Sequence, residues 1–218
     1  TLTLLTLAGL RPADGGRVTL NGEDLSGMRR SQIAPLLALM PLSVDDIFPA
    51  TVLETALVGR HPHIRPFRWE SADDRRVARE ALAGVGIADL EQREVRTLSG
   101  GERRRLAVAQ LIAQDPAICL VDEPGNHLDL QHQLDVLDLF RERADRGGAV
   151  LVSLHDINLA ARYADRCLLL YGDGRWELGP TSQILNEEKL SALYEANIEA
   201  VEWRNGPLFV ASSERANR

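Results

Sequence analysis

The sequence predicts an α/β fold in which a mostly helical stretch interrupts a parallel sheet. Beyond residue 115, an unbroken apolar run at 117–121 and two further strand-like runs at 149–154 and 167–171 alternate with helical stretches, as in a sheet of buried parallel strands. The stretch 43–114 is mostly helical, so we expect it to form a separate lobe. The 218 residues, 44% of them hydrophobic and 26% charged, suffice for one domain with an inserted lobe.

The first 42 residues predict a short helix, a hairpin and a strand. Leucines recur over 1–10, which favours a helix, and Arg17–Leu20 followed by Asn21-Gly22 is typical of a tight hairpin. Leu36–Met40 is expected to be a brief apolar strand that ends at Pro41.

Helices are predicted over 51–60, 71–83 and 99–114. Ser71 is followed three positions later by Asp74, which is a capping box, and Ser99 is a good N-cap. The expected elements beyond Pro116 are strand 117–121, helix 130–144, strand 149–154, helix 157–164, strand 167–171, turn 172–174 and strand 175–178.

Composition excludes some functions. A formal net charge of −7 argues against a nucleic-acid-binding surface that covers the whole protein. The longest apolar runs are far shorter than the roughly 20 residues of a membrane-spanning helix, so membrane association is expected to come through a partner. Cys119 and Cys167 lie in apolar strand-like runs; a disulfide is one interpretation, and two buried thiols of a cytosolic protein is the favoured one. We find no signal peptide, and because the first residue is Thr1 rather than Met, we expect that the chain does not begin at a natural start.

Two adjacent carboxylates, Asp122 and Glu123, follow the apolar run 117–121. The carboxyl ends of parallel strands form the edge at which nucleotides bind in such folds. One carboxylate can hold Mg²⁺, directly or through water, while the next polarises an attacking water. The alternative is a strand that ends in a solvated acidic turn.

The segment Leu98–Glu102 is a second candidate site. Ser99 can cap the helix that follows, and two glycines allow backbone N–H groups to approach a phosphate closely. The alternative is a Gly-Gly turn before an amphipathic helix. Spacing favours the functional interpretation, because Ser99 lies 23 positions before Asp122 and His155 lies 33 positions after it. His155 closes the run 149–154, so it is expected at the same sheet edge as Asp122.

Together these segments resemble the motifs of ATP-binding subunits of ABC transporters. The segment 98–102 resembles the signature loop, and 118–123 resembles the Walker B strand with its catalytic glutamate. Asn126–Asp129 resembles the D-loop, and 154–156 resembles the switch-histidine segment. The resemblance covers nearly the whole chain, from 1 to about 194, and implies a P-loop NTPase (RecA-like) core with an inserted helical subdomain of the ABC ATPase type. The passages 48–54, 59–63 and 129–133 resemble the importer branch for iron–siderophore complexes, haem or vitamin B12.

The resemblance implies a role for each site residue. Glu123 would act as the general base or orient the water, and Asp122 would help to hold Mg²⁺. His155 would contact the γ-phosphate from the same subunit, and Asp129 would bridge a head-to-tail dimer. The residues expected to bind the nucleotide held by the partner subunit are Ser99, Gly100, Gly101 and Glu102.

The sequence departs from the family pattern at its beginning. A P-loop reads G-x-x-x-x-G-K-[ST], and residues 1–218 contain no such motif. Counting back from Ala8-Gly9-Leu10 places Thr1 at the Ser/Thr that binds Mg²⁺ in the family; the alternative is an ordinary helix-start threonine. The resemblance therefore implies a chain that is truncated at its N-terminus and lacks the phosphate-binding lysine.

Other positions also depart from the pattern. Leu42 replaces a glutamine that senses Mg²⁺ and links the site to the membrane subunit, and leucine offers no polar atom there. Gly125 stands where threonine is usual. Arg104 and Gln110 stand where glutamine and arginine are usual. The three arginines 103–105 are expected on a solvated helix face.

The implied organisation is a RecA-like core (1–42 and 115–180), a helical signature subdomain (43–114) and a short C-terminal extension (181–218). The segment 49–60 is expected to form part of a groove for a short helix of a membrane subunit. The apolar surface of that groove is expected from Phe48, Val52, Leu53 and Val58.

The implied function is an ATPase that binds ATP and Mg²⁺, forms a homodimer and energises import through transmembrane permease subunits. It would act as a peripheral protein at the cytoplasmic face of the inner (plasma) membrane. A degenerate subunit that docks on a partner without hydrolysing ATP is the alternative, and Leu42 and the missing loop favour it for residues 1–218. Intact Glu123 and His155 favour the hydrolysing subunit for the parent protein. A soluble ABC protein of DNA repair or translation is disfavoured, because such proteins usually carry long coiled-coil insertions or two cassettes.

Overall fold

The structure is a computed structural model, and it describes residues 1–42, 49–65, 67–204 and 206–212. The chain forms two compact units, residues 1–153 and residues 154–218. In the described part of the chain, no helix combines the length and the apolar composition that a membrane span requires.

The helices and strands of the first unit match most of those expected from the sequence. In chain order they are α1 (Leu2–Leu7), β1 (Thr19–Leu20), β2 (Glu23–Asp24), α2 (Arg30–Ile33), β3 (Leu37–Met40), α3 (Val52–Val58), α4 (Ala72–Gly84), α5 (Gly100–Gln114), β4 (Ile118–Asp122), α6 (Leu130–Asp145) and β5 (Ala149–Ser153).

The predicted hairpin near the start of the chain is confirmed, with shorter strands than expected. β1 and β2 pair antiparallel, with Leu20 opposite Glu23. Asn21 and Gly22 connect them with φ angles of 52° and 87°. Two positive φ angles in succession define the turn that matches the twist of paired strands.

A three-stranded parallel sheet, in the order β3-β4-β5, positions the candidate site. β4 is central in this sheet, and its residues from Cys119 to Asp122 are buried. The prediction that 149–154 is buried like β4 is wrong, because Ala149 is exposed and Leu151 is 37% exposed. Within the described sheet β5 pairs with β4 on one side only. The register places Asp122 across from Ser153, so both side chains lie at the carboxyl edge.

Helices α3, α4 and α5 each begin with a capping box, in which the N-cap hydroxyl and the carboxylate three residues later satisfy each other's backbone N–H groups. The one predicted at Ser71 is confirmed. The three pairs are Thr51 with Glu54, Ser71 with Asp74 and Ser99 with Glu102.

These three helices and the sheet share one continuous hydrophobic core. Val52, Leu82 and Val108 are fully buried in it, and burial of each such side chain stabilises the fold by about 1.5–3 kcal/mol. The prediction that Val52 and Leu53 supply exposed apolar surface is therefore wrong, because both face the core; Val58 is 44% exposed. Phe48, the other residue expected in that groove, lies outside the described residues.

The second unit contains two antiparallel sheets and flanking helices. Its elements are α7 (Ile157–Tyr163), β6 (Arg166–Leu170), β7 (Trp176–Pro180), α8 (Thr181–Ile184), α9 (Glu187–Tyr194), β8 (Ile198–Trp203) and β9 (Gly206–Ala211). The hairpin predicted over 167–178 is confirmed, since β6 pairs with β7. The sequence pattern predicted that its first strand would join the parallel sheet; in the described sheets β6 pairs with β7 alone. Cys119, in the first unit, and Cys167, in the second, are both buried free thiols.

Candidate active site

Asp122, at the end of β4, is only 1% exposed and is held by hydroxyl groups. Its Oδ1 accepts a hydrogen bond from the Ser153 hydroxyl at 2.5 Å, and its Oδ2 accepts one from the Thr1 hydroxyl. Burial alone would raise the pKa of Asp122. The hydrogen bonds from Ser153 and Thr1, the charged amino group of Thr1 and the Arg104 guanidinium together outweigh burial and place the pKa below its ordinary value. The structure thus brings the two predicted Mg²⁺ ligands, Thr1 and Asp122, into contact across 121 positions of sequence.

Glu123 directly follows β4, and its φ of 48° lies in the left-handed region that residues with a Cβ rarely adopt. Its backbone N–H donates to the Ser153 hydroxyl at 3.0 Å. Its carbonyl accepts hydrogen bonds from Asn126 N–H at 3.1 Å and from Arg104 Nη2 at 2.7 Å. The chain therefore turns sharply at Glu123, directly after the metal-site candidate Asp122, and the turn is held from three directions.

Arg104 is a buried residue of this site that the sequence analysis expected on a solvated face. Only 6% of it is exposed, and its guanidinium lies among four backbone carbonyls. Nη1 donates to the carbonyls of Pro41 (2.9 Å) and Leu42 (3.0 Å), while Nη2 donates to those of Asp122 and Glu123. Burial lowers the pKa of Arg104, and the nearby charges of Asp122 and Glu123 oppose that shift.

The expectation that all three arginines lie on a solvated face is therefore wrong at Arg104. Arg103 is exposed, whereas Arg105 reaches the carbonyl of Gly86 at 3.0 Å. Arg104 lies four positions before Val108 and seven before Leu111, both of which are buried on the inner face of α5. The spacing of Arg104 from these two apolar residues could have indicated its burial, because residues four and seven positions apart lie on one face of a helix.

The signature segment forms the start of α5. Ser99 Oγ accepts from Glu102 N–H at 3.2 Å, and Glu102 Oε2 accepts from Ser99 N–H at 2.7 Å. Gly100 and Gly101 form the first turn, and a Cβ on Gly101 would lie 3.2 Å from the carbonyl oxygen of His127. The signature segment and the D-loop segment therefore pack closely against each other.

Asp129 caps helix α6. Its Oδ1 accepts hydrogen bonds from the backbone N–H of His132 at 2.9 Å and from the ring Nδ1 at 2.8 Å. The backbone bond, followed by the ring bond, lowers the pKa of Asp129. This local cap accounts for the conformation of Asp129, and its predicted role between subunits stays a prediction.

His155 follows β5 by two residues and belongs to the second unit. Its carbonyl accepts a hydrogen bond from the hydroxyl of Tyr194 at 3.1 Å. Its predicted contact with the γ-phosphate stays a prediction.

Two residues bear on the departures from the family pattern, Leu42 and the lysine at position 189. The side chain of Leu42 is 39% exposed, and its carbonyl is bound by Arg104. The sequence contains one lysine, Lys189, whose Nζ pairs with Glu177 at 2.6 Å in the second unit. A parallel sheet that ends in buried Asp122 and adjacent Glu123, together with a helix that begins with Ser99 and two glycines, is typical of an α/β nucleotide-binding protein.

The chain belongs to the ABC transporter family and has the fold of its ATP-binding cassettes. The sequence model of the family described as "ABC transporter" matches residues 1–126. The chain is 35% identical, over 88% of its length and 71% of the relative's, to the achromobactin transport ATP-binding protein CbrD of Dickeya dadantii. It is 43% identical, over 77% of its length and 62% of the relative's, to the hemin import ATP-binding protein HmuV of Gloeobacter violaceus.

A further relative is the uncharacterized ABC transporter ATP-binding protein YvrA of Bacillus subtilis, which is 34% identical over 95% of the chain. The chain spans about half of that relative's length, 47%. A solved structure described as an inward-facing, metal-chelate type ABC transporter matches with a TM-score of 0.73 and 29% identity, over 82% of this chain and 73% of the other.

Proposed function

We propose that the protein is the ATP-hydrolysing subunit of an importer for metal chelates such as iron–siderophore complexes, haem or cobalamin. The observation that carries the proposal is the contact of Thr1 with Asp122, directly before Glu123, at the carboxyl edge of a parallel sheet. The names of the achromobactin and hemin relatives support the substrate class. Permease subunits would be its membrane partners, and it would act as a peripheral protein at the cytoplasmic face of the membrane.

The residues of the site fit a Mg²⁺ ion. Mg²⁺ is bound by one or two carboxylates together with hydroxyl, water and phosphate oxygens. Asp122 and Thr1 present a carboxylate and a hydroxyl that already touch, and the lowered pKa of Asp122 keeps that carboxylate ionised at neutral pH. When bound, the ion would neutralise charge on the phosphates of ATP.

The remaining residues would position water and nucleotide. Glu123 would accept a proton from the attacking water or orient it, because its half-buried carboxylate follows Asp122 directly. His155 would contact the γ-phosphate from the same subunit, and Asp129 would lie at the dimer interface. The residues that would bind the partner subunit's nucleotide are Ser99, Gly100, Gly101 and Glu102.

The test is Glu123→Gln in a form that carries a P-loop segment ahead of Thr1. The amide cannot accept a proton, so we expect hydrolysis to slow by about 10²-fold or more while ATP binding persists and the dimer accumulates. Phosphate release and sizing chromatography with ATP and Mg²⁺ measure both effects. Glu80→Gln, at an exposed position of α4, is the matched control and should behave like the parent protein. If Glu123→Gln stays monomeric and hydrolyses ATP at the parent rate, Glu123 is not catalytic.

A subunit that binds a partner without turning over ATP is the second candidate. Leu42 favours it, because its apolar side chain replaces a glutamine that the family uses at the Mg²⁺ site. The same experiment separates the two candidates: a parent form that binds ATP and dimerises but releases no phosphate supports the second.

A further inference from the structure

Arg104 joins three parts of the molecule that are distant in sequence. It lies in the second turn of α5, and its guanidinium binds the carbonyls that follow β3 and those that end β4. We propose that Arg104 is a positioning residue: it holds the backbone of Glu123, and therefore the direction of its carboxylate, and couples that turn to the start of α5. This inference rests on the proposed ATPase function, since it assigns a role in that reaction.

The geometry requires the shape of a guanidinium. Four carbonyl oxygens converge on the two terminal nitrogens of Arg104. Nη1 lies 2.9 Å from the oxygen of Pro41 and 3.0 Å from that of Leu42, and Nη2 lies 2.7 Å from that of Glu123. A planar fork with several fixed N–H donors can serve acceptors on two sides at once. An ammonium group has its donors on one atom, and a glutamine amide has two donors, so neither can satisfy all four carbonyls.

The turn at Glu123 depends on such support. A left-handed conformation in a residue with a Cβ persists where its surroundings hold it. Ser153 holds the N–H of Glu123, and Arg104 holds its carbonyl together with Asn126. Loss of Arg104 would leave the N–H of Asn126 as the remaining one of these two donors on the Glu123 carbonyl, so the turn that directs the Glu123 carboxylate would be held more weakly.

The other end of the guanidinium binds the backbone of residue 42. The leucine side chain there offers no polar atom, but its carbonyl is tied through Arg104 to the peptide of Glu123. The helix that carries Arg104 begins at Gly100, directly after Ser99. A displacement of the signature segment would therefore move both strand ends together.

Three variants test the role: Arg104→Met, Arg104→Lys and, as the matched control, Arg103→Met. Arg103 is the exposed neighbour on the same helix, and it donates to the carbonyl of Arg96 at 2.8 Å. The first measurement is amide hydrogen exchange on residues 1–218, which requires no ATP turnover. In both Arg104 variants the N–H groups of Glu123 and Asn126 should exchange about tenfold faster or more, as expected when local opening becomes easier. In Arg103→Met their exchange should be unchanged.

The second measurement is steady-state hydrolysis in the form that carries a P-loop segment. Misplacement of a catalytic group by about 1 Å can cost roughly 10²-fold in rate, so we expect kcat to fall by about that factor in both Arg104 variants while KM for ATP changes little. In the Glu123→Gln background the same substitutions should have little further effect, because the group that they misplace is already inactive.

The outcomes separate this inference from the proposed function. Wild-type kcat in Arg104→Lys would overturn the inference, because charge alone would then suffice. So would unchanged exchange at Glu123 and Asn126 in both variants. If Arg104→Met does not fold, the lysine variant decides. A parent form without hydrolysis would overturn the proposed function, while faster exchange in the variants would still show that Arg104 holds the turn.

Discussion

Ser153 shows how one small side chain organises the site. Its hydroxyl donates to Asp122 at 2.5 Å and accepts from the backbone N–H of Glu123 at 3.0 Å. The Ser153 hydroxyl therefore binds two adjacent residues at once: the side-chain carboxylate of Asp122 and the backbone N–H of Glu123. Because Asp122 is buried, loss of this donor leaves a charged oxygen without one of its partners.

We predict that Ser153→Ala lowers the free energy of unfolding by about 1–3 kcal/mol, the usual cost of an unsatisfied buried polar group. It should also raise the pKa of Asp122, because the Ser153 hydrogen bond favours the ionised form. Urea denaturation at neutral pH measures the first effect. Ser31→Ala, at an exposed position of α2, is the control and should leave stability within about 0.5 kcal/mol. Equal stability of the two variants would contradict the dual role of Ser153.

The helices α3, α4 and α5 share a dependence on carboxylates at their N-termini. The backbone N–H and hydroxyl of the N-cap residue lower the pKa of Glu54 and Glu102, and the hydroxyl and N–H of Ser71 lower that of Asp74. These bonds form with the ionised carboxylates, which also interact favourably with the positive end of the helix dipole. The start of each helix is thus sensitive to acid.

We predict that this part of the protein loses stability as the pH falls below the ordinary glutamate value of 4.5. Since the folded pKa values are lowered, the stabilisation is fully present above the unfolded values and is lost as pH falls through the folded ones. A variant with Glu54→Gln, Asp74→Asn and Glu102→Gln should be less stable than the parent at pH 7 and lose less stability on acidification. Urea denaturation between pH 3 and 7 measures both.

The control replaces three carboxylates outside the helix caps, Glu23, Glu70 and Glu80, by glutamine. It should keep the acid dependence of the parent protein. Parallel stability–pH curves for the parent and the capping variant would contradict a role of the caps in acid sensitivity.

At the scale of the whole molecule, the charge that compensates phosphate is the decisive quantity. Residues 1–218 carry a net charge of −7 and contain no lysine-bearing glycine-rich loop. The Arg104 guanidinium is a cationic group near Asp122, but its terminal N–H groups already donate hydrogen bonds to backbone carbonyls. Electrostatic positioning makes up most of phosphoryl-transfer catalysis.

We therefore predict that residues 1–218, purified alone, show no significant ATP hydrolysis. Without several groups that donate hydrogen bonds to the phosphates, the activation free energy of hydrolysis should rise by well over the roughly 3–4 kcal/mol that loss of one oxyanion-hole donor costs. Joining a P-loop segment ahead of Thr1 should restore nucleotide binding, and Leu42→Gln in that longer form should raise turnover by returning a polar contact to the metal site.

Calorimetry with a non-hydrolysable nucleotide and a phosphate-release assay on the three forms measure these effects. Hydrolysis by residues 1–218 at the rate of the longer form would contradict the prediction that turnover requires a P-loop segment ahead of Thr1.

The sequence by itself determined the helix starts, turns and strands whose causes lie in neighbouring residues. It also determined the order of the motifs. The capping box at Ser71, the hairpin at Asn21-Gly22 and the apolar run of β4 could be predicted because their physical basis lies within a few neighbouring residues. Four motif segments, 98–102, 118–123, 126–129 and 154–156, resemble those of the family in their order and spacing, and the match to the family's sequence model confirms that resemblance. The periodicity of apolar side chains and the hydrogen bonds of helix caps involve residues a few positions apart. Both can therefore be recognised in the sequence.

Tertiary structure alone decided which partners meet across long separations. It exposed one side of β5, paired β6 with β7, and placed Ser153 between two carboxylate residues. It also buried Arg104, whose four acceptors come from strand ends 62 and 63 positions before it and 18 and 19 after it. A charged side chain is buried when it finds such acceptors, and their convergence depends on how the sheet and helix pack.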